Sequence, residues 1–296
     1  MQKPSNSLFG FIITLLGAVC WGFSSVCGQY LFTRKGVSVD FLITWRLLMA
    51  GGIMLAWCAV RYRGLLLEPF RRARDLAKLL LFGIFGISLC QYSYFRAVEL
   101  SNAPVATTIT YTAPVFLLAL VCIRERRAPR KLEVIALSLA MCGVFLLATH
   151  GSFSSFVIPA SALIWALISA VCVVIYTIAP KLIDPRFPIT LSLALGMVIG
   201  GVLLGLCVRV WHSTGISDLG GLLGFLSVTI IGTIVAFSLY LGGVLLIGPA
   251  KAAIIACIEP VVALFFSSVW LGTPVYFADC VGIIFILLCV FLLRKV

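Results

Sequence analysis

The stretch YFRAVELSNAPVATTITYTAPV, from Tyr94 to Val115, is matched later in the chain by YLGGVLLIGPAKAAIIACIEPV, from Tyr240 to Val261. The two stretches align without a gap at an offset of 146 residues, and several apolar, tyrosine and proline positions coincide. The same offset repeats the tetrapeptide VFLL, at 144–147 and 290–293. An internal repeat of this length predicts that the chain consists of two structurally similar halves.

The composition places these halves in a membrane. Of the 296 residues, 62% are hydrophobic and only 11% are charged, and the mean hydropathy is +1.18. A soluble domain is about 45–50% apolar and about 25% charged. The figures exclude a disordered, fibrous or ordinary soluble protein. Because one spanning helix takes about 20 residues, the chain has room for about ten spans and for no separate soluble domain.

Apolar runs separated by charges, proline or glycine predict ten transmembrane helices and an all-α membrane protein. The expected spans are 8–31, 39–60, 76–98, 103–123, 132–149, 158–182, 188–211, 220–246, 250–271 and 275–293. The first run exceeds the roughly 7–15 apolar residues of a signal peptide and has no clear cleavage site, so it is retained as a helix. The repeats are predicted to comprise residues 8–149 and 158–293, with five helices each.

The distribution of basic residues predicts the orientation. With the N-terminus in the cytoplasm, 17 of the 22 Lys and Arg residues lie on the cytoplasmic side, as short loops of this kind require. We therefore expect a multi-pass protein of the plasma membrane, in bacteria the inner membrane, with both termini in the cytoplasm. The net charge of +12 is thereby explained by loops rather than by nucleic-acid binding. Because five is odd, the second repeat enters the membrane in the opposite orientation, a plan that recurs in secondary transporters.

Three stretches resemble the EamA family of the drug/metabolite transporter superfamily. They are LGAVCWGFSSVCGQYL at Leu16–Leu31, AVELSNAPVATTITYTAPVF at Ala97–Phe116 and SLYLGGVLLIGPAKAAIIACIEPVVA at Ser238–Ala263. The similarity covers nearly the whole chain as two EamA repeats, and within the family it extends to the YicL-like group of carboxylate, amino-acid or amine transporters. It implies ten helices, a central cavity lined mainly by helices one, three, four, six, eight and nine, and movement of small metabolites, often outward.

Glu259 is the sharpest single candidate for function. Many family members have a Glu-Pro pair in both the fourth and the ninth helix, but this chain has Ala113-Pro114 in the fourth and Glu259-Pro260 in the ninth. A charge at a helix centre costs about 2.5–3.5 kcal/mol on insertion scales, so such a residue faces a cavity, a partner or a proton. Pro260 lacks an N–H group and is expected to free the carbonyl near Ala256. The alternative is a structural carboxylate satisfied by neighbouring helices.

Polar and aromatic residues at helical spacing predict the rest of the site. Trp21 and Trp165 match at an offset of 144, which favours equivalent places at the cavity. The residues predicted to bind substrate are Trp21, Ser24, Gln91, Tyr94, Tyr111, Trp165, Ser169, Tyr176, Phe237, Tyr240 and Glu259. The same residue types also hold helices together, and that interpretation stays open. Arg46 is interpreted as an interfacial side chain that snorkels towards water, with attraction of an anionic substrate as the alternative.

No catalytic or cofactor motif is visible. The eleven cysteines lie in apolar segments without a CxxC pair, so neither a disulfide framework nor a metal site is predicted, and there is no Walker A motif. We therefore expect no enzyme activity and no cofactor. The predicted function is secondary active transport of an amino acid, amine or carboxylate, by export and alternating access, with protons as a candidate coupling ion. An integral-membrane enzyme and a passive channel remain the alternatives, and homo-oligomerisation stays open.

Overall fold

The computed structural model describes residues 4–150, 158–184, 186–247, 252 and 255–293. All regular structure within these ranges is helical, and they contain no strand. The main helices are α1 (Pro4–Lys35), α2 (Val39–Arg61), α3 (Ala73–Leu100), α4 (Ala103–Glu125), α5 (Lys131–Thr149), α6 (Ala160–Ile178), α7 (Ile189–Cys207), α8 (Leu219–Ile247), α9 (Glu259–Leu271) and α10 (Phe277–Leu293).

Seven of these helices, α1 to α4 and α6 to α8, are long and apolar enough to cross a membrane. Two further apolar helices, Glu259–Leu271 and Phe277–Cys289, are shorter. The all-α membrane class predicted from composition is therefore confirmed. Much of the start of the predicted ninth span, at 250–258, lies outside the described residues.

The sequence repeat reappears as a repeat of local helix irregularities. Within α3 the segment Phe82–Leu89 is π-helical, and within α8 the segment Ser227–Val235 is π-helical at the equivalent place. Helix α4 is interrupted by a turn at residues 111–112, and a turn at residues 257–258 directly precedes α9, again 146 residues later. A proline follows each turn and cannot donate the hydrogen bond that would continue the helix.

The two halves pack on one another through equivalent pairs of helices. Helix α1 lies along α8, as α3 lies along α6, and the pairs α2 with α7 and α5 with α10 also join the halves. Gly143 and Gly282 allow the last pair to approach closely, because a Cβ atom on Gly143 would lie 2.8 Å from the carbonyl oxygen of Gly282. This arrangement leaves the space for a site in the middle of the bundle, between the halves.

Equivalent acids anchor the first turns of α5 and α10. Arg127 donates two hydrogen bonds of 2.8 Å to Glu133, which is almost fully buried. The repeat counterpart of Glu133 is Asp279, whose carboxylate lies 2.6 Å from Nδ1 of His150 and accepts a bond from the backbone N–H of Tyr276. In the sequence His150 has no acidic neighbour, and the fold supplies one from 129 residues away.

Candidate transport cavity

A cavity of about 390 Å³ lies between the halves of the bundle. Its walls come from α1, α3, α4, α6, α8 and the chain around the start of α9, which are the helices that the family resemblance implies, and also from α2 and α7. The described lining residues are Trp21, Ser24, Ser25, Arg46, Gly86, Ile87, Cys90, Gln91, Tyr94, Phe95, Thr107, Thr110, Tyr111, Ala113, Ser169, Val173, Tyr176, Thr177, Leu193, Met197, Phe237, Tyr240, Ala256, Cys257 and Glu259.

The structure brings most of the predicted binding residues together around this cavity. Ten of the eleven line it, namely Trp21, Ser24, Gln91, Tyr94, Tyr111, Ser169, Tyr176, Phe237, Tyr240 and Glu259. Their placement supports a common site, while their role in binding a substrate stays a prediction.

Trp165 is the predicted residue that does not line the cavity. It lies on α6 one turn before Ser169, nearer the start of the helix, and its ring packs edge-on against Tyr92 at a centroid distance of 5.8 Å. Trp21, by contrast, contacts two aromatic residues that line the cavity, Phe237 and Tyr240. The match between the two tryptophans in the sequence therefore does not determine whether each ring lines the cavity or which residues it contacts.

Glu259 and Tyr111 form the polar centre of the cavity. The hydroxyl group of Tyr111 lies 2.7 Å from the carbonyl oxygen of Ala256 and 3.0 Å from Oε2 of Glu259. Ala256 lies four residues before Pro260, so its carbonyl is the one that the missing proline N–H leaves without a helical donor. Tyr111, from the broken middle of α4, replaces that donor and also contacts the carboxylate. The Ala256 carbonyl therefore lacks a helical donor, as expected from the sequence, and its hydrogen bond comes from Tyr111 in the other repeat.

Arg46 lies in the cavity wall, contrary to the expectation that it snorkels to the membrane interface. Its side chain is 3% exposed. Nε donates to Oγ1 of Thr233 at 2.8 Å, one terminal nitrogen donates to Gln91 at 3.3 Å, and the guanidinium lies 5.0 Å from the ring centroid of Phe95. These three contacts come from α8 and α3, which surround this part of α2. The guanidinium carries five N–H donors, of which three form no hydrogen bond in the described part of the chain.

Aromatic rings form one apolar wall of the cavity. The ring of Trp21 meets Phe237 edge-on at a centroid distance of 5.1 Å, and Tyr240 at 5.0 Å. Phe237 also approaches Tyr176 of α6 at 6.4 Å, and Tyr176 stacks on Phe82. Edge-on and offset contacts of this kind are favourable for aromatic pairs. The wall therefore joins α1, α8, α6 and α3 by direct ring contacts.

Hydroxyl groups also line the cavity. Tyr94 of α3 and Thr107 of α4 lie 2.7 Å apart through their hydroxyl oxygens, and Oγ of Ser169 donates to the carbonyl oxygen of Cys90. Two further lining residues, Ser25 and Thr177, are not among those predicted from the sequence. Helical spacing offered a signal for Thr177, because it follows Tyr176 and lies eight residues after Ser169, on the same face of α6.

The profile of the EamA-like transporter family matches residues 8–149 and 160–295. A relative from Salmonella typhimurium, named uncharacterized inner membrane transporter YicL, is 32% identical over 285 residues, covering 96% of this chain and 94% of the relative. A relative from Bacillus subtilis, named uncharacterized transporter YcbK, is 23% identical and covers 97% of this chain and 94% of its own.

A solved crystal structure that resembles this chain has the same fold. It superposes with a TM-score of 0.59 at 17% sequence identity, covering 98% of this chain and 96% of the other. At this level of identity the likeness concerns the fold alone.

Proposed function

The chain belongs to the EamA-like transporter family, and on that basis we propose that it is a secondary transporter of a small charged metabolite. The proposed substrate is an amino acid, amine or carboxylate, moved outward across the plasma membrane. The central cavity is its binding site. The proposed architecture is ten transmembrane helices in two inverted repeats, residues 8–149 and 158–293, with both termini in the cytoplasm.

The observation that carries the choice of substrate is the pair of opposite charges in the cavity wall. Among the described lining residues, Arg46 and Glu259 are the only ones that are charged. Unbonded guanidinium N–H groups suit a carboxylate, which binds arginine through paired hydrogen bonds. A carboxylate and the faces of aromatic rings suit an ammonium group. An amino acid satisfies both groups at once and therefore leaves no buried charge without a partner.

The repeated helix breaks support alternating access as the mechanism. The turns at residues 111–112 and 257–258 lie next to the polar centre and divide the fourth and ninth predicted spans. Discontinuous helices at the meeting point of two repeats are typical of secondary transporters. We infer that the two halves exchange conformations around this point, which opens the cavity first to one side of the membrane and then to the other.

The test is flux of a metabolite panel in proteoliposomes. Neutral amino acids, amines and carboxylic acids are compared for the unchanged protein, Arg46→Gln and Glu259→Gln, with Arg63→Gln as a control for an exposed arginine outside the cavity. We expect the Arg46 variant to lose carboxylate-bearing substrates and keep amines, and the Glu259 variant to show the reverse preference. Flux that does not saturate would indicate a channel, and equal loss of every substrate in both variants would contradict the proposal.

A further inference from the structure

A second pocket lies at one end of the bundle, where α3 begins and the segment between α6 and α7 passes it. Its volume is about 580 Å³. We call it the basic pocket, and it is lined by Arg72, Arg74, Asp75, Lys78, Leu182, Ile183 and Asp184. None of these residues belongs to the transport cavity, so the pocket is a separate feature of the molecule.

Three positively charged side chains line this pocket. In the described part of the chain, Arg72, Arg74 and Lys78 form no ion pair. Asp184 is already paired with Arg186, whose side-chain hydrogen bonds and backbone N–H lower the pKa of the Asp184 carboxyl to about 2, with a smaller contribution from the charge of Arg72. This leaves Asp75, which is buried, as the acid that opposes three cations.

We place the basic pocket at the depth of the lipid headgroups. Helix α3 has 28 residues, a length of about 42 Å at 1.5 Å per residue, whereas the hydrocarbon core is about 30 Å thick. The helix is therefore longer than the hydrocarbon is thick. We expect its first turns to be the part outside, because the pocket's cations would be costly inside the hydrocarbon.

One exposed apolar side chain, Leu182, lines the same pocket, and two more lie in the segment that leads into α3; we call these three side chains the apolar border. Leu67 and Phe70, in the segment that leads into α3, are 70% and 43% exposed, and Leu182 is 48% exposed. These residues lie outside the helices that qualify as membrane spans. Apolar groups at this depth are stabilised by contact with acyl chains, while free phosphate would leave them in water.

We propose that the basic pocket binds one anionic phospholipid, with its phosphodiester held by Arg72, Arg74 and Lys78. Its acyl chains cover Leu67, Phe70 and Leu182. Basic pockets between membrane helices are known to hold anionic headgroups, and arginine side chains fit the tetrahedral oxygens of a phosphate. The joint presence of unpaired cations and an apolar border favours a lipid over a soluble anion.

Binding is measured on the purified full-length protein in detergent, by native mass spectrometry and by melting temperature. The probes are phosphatidylglycerol, phosphatidylcholine with the same acyl chains, and inorganic phosphate. The test variant replaces Arg72, Arg74 and Lys78 by Gln. The matched control replaces the exposed residues Arg61, Arg63 and Arg124 by Gln, which removes the same charge outside the pocket.

We expect one phosphatidylglycerol to be retained by the unchanged protein and by the control, and to raise their melting temperatures above those in phosphatidylcholine. In the pocket variant the apparent affinity should fall about fivefold for each cation removed, or about 100-fold in all. For each variant, the melting temperature in phosphatidylglycerol is compared with that of the same variant in phosphatidylcholine. A variant with lower overall stability can therefore still be interpreted. Arg74→Gln alone, with an expected fivefold loss, serves if the triple variant does not fold.

Two results would overturn the proposal. Equal loss of phosphatidylglycerol in the control would mean that the lipid responds only to total charge. Stabilisation by inorganic phosphate alone, equal to that by phosphatidylglycerol, would assign the site to a soluble anion. A further variant, Leu67→Ser with Phe70→Ser, should weaken phosphatidylglycerol and leave any phosphate binding unchanged, and an unchanged lipid affinity would contradict the role of the apolar border.

Discussion

Glu259 accepts a hydrogen bond from Tyr111, which lies 148 residues earlier in the chain. The sequence alone indicated Glu259, because a carboxylate in an apolar run next to proline is rare. It did not indicate which hydroxyl would meet that carboxylate, since the partner depends on how the two repeats pack. The prediction that Arg46 lies at the membrane interface was wrong for the same reason. Its position in an apolar run shows that it is unusual, but the run does not show whether it faces lipid, the interface or the cavity.

A substitution at Glu259 separates a proton carrier from a structural carboxylate. Glu259→Gln keeps the shape of the side chain and an oxygen for Tyr111, but it has no proton to exchange. If Glu259 couples transport to protons, the variant should reach the membrane, lose proton-driven accumulation and still exchange substrate for substrate. The measurement is the pH profile of flux together with the melting temperature. An unchanged profile with lower stability would assign Glu259 a structural role.

Tyr111→Phe provides the companion variant for this experiment. It leaves the Glu259 carboxyl able to titrate but removes the hydroxyl group that contacts both that carboxylate and the Ala256 carbonyl. Leaving such groups unsatisfied is expected to cost about 1–3 kcal/mol of stability, while the pH dependence of flux remains. Tyr176→Phe is the control, because its hydroxyl forms no hydrogen bond in the described part of the chain.

Trp21 and Trp165 are expected to respond differently to substitution. Trp21 lies against Phe237 and Tyr240 in the cavity, whereas Trp165 packs on Tyr92 outside it. Trp21→Ala should therefore reduce flux per folded molecule, and Trp165→Ala should lower the melting temperature with flux per folded molecule retained. Equal loss of specific flux in both variants would restore the equivalence that the sequence repeat predicts.

Helix positions were predictable because apolar runs of about 20 residues are a strong signal. The turns and π-helical segments within these helices were harder to predict from the sequence. Proline marked the turns in α4 and before α9, but no single residue type marks the π-helical segments at Phe82–Leu89 and Ser227–Val235. Those segments lie where glycines meet a neighbouring helix, as Gly86 meets Tyr176 and Gly232 meets Ser24. Such contacts depend on tertiary packing, so a one-dimensional pattern does not contain them.

A buried polar network connects three helices at the end of the cavity where α1 finishes. Gln29 of α1 accepts hydrogen bonds from the backbone N–H of Ala103 and from Ser267 of α9, and donates one to Thr273 after α9. Gln29 is 6% exposed, so its bonds are not exchanged for bonds to water. The network therefore ties α1, the start of α4 and the end of α9 together in this conformation.

Gln29→Leu should release this connection. It leaves buried donors and acceptors unsatisfied, at a cost of about 1–3 kcal/mol for each group, and amide exchange should rise at the start of α4 and the end of α9. The control is Thr33→Val on the same helix, because among the described residues the Thr33 hydroxyl bonds only to the carbonyl of Gln29, within α1. Equal effects of the two variants on stability and exchange would show that the network does not hold the helices together.

At the scale of the whole molecule, the repeat predicted two structurally similar halves, and the helix pairs that join them follow the same symmetry. The pairs α1 with α8 and α3 with α6 are equivalent under the exchange of repeats, and so are the turns before Pro114 and Pro260. Orientation in the membrane rests on a different signal, the positive charge of the loops, because the packing of helices is the same whichever way the bundle is inserted. The internal repeat and the distribution of Lys and Arg are independent signals, and together they predict the side of the membrane on which each loop lies.

The loops after α4 and after α9 should lie on opposite sides of the membrane. Arg127 and Thr273 occupy equivalent positions in these loops, 146 residues apart, and an inverted repeat places equivalent loops on opposite faces. The excess of Lys and Arg puts the Arg127 loop in the cytoplasm. Reporter fusions after Arg72 and Arg127 should therefore report the cytoplasm, and fusions at Thr273 and near Ser152 the outside. Signals from the same side at Arg127 and Thr273 would exclude the inverted repeat, whereas a reversal of all four would leave the repeat intact and contradict only the orientation.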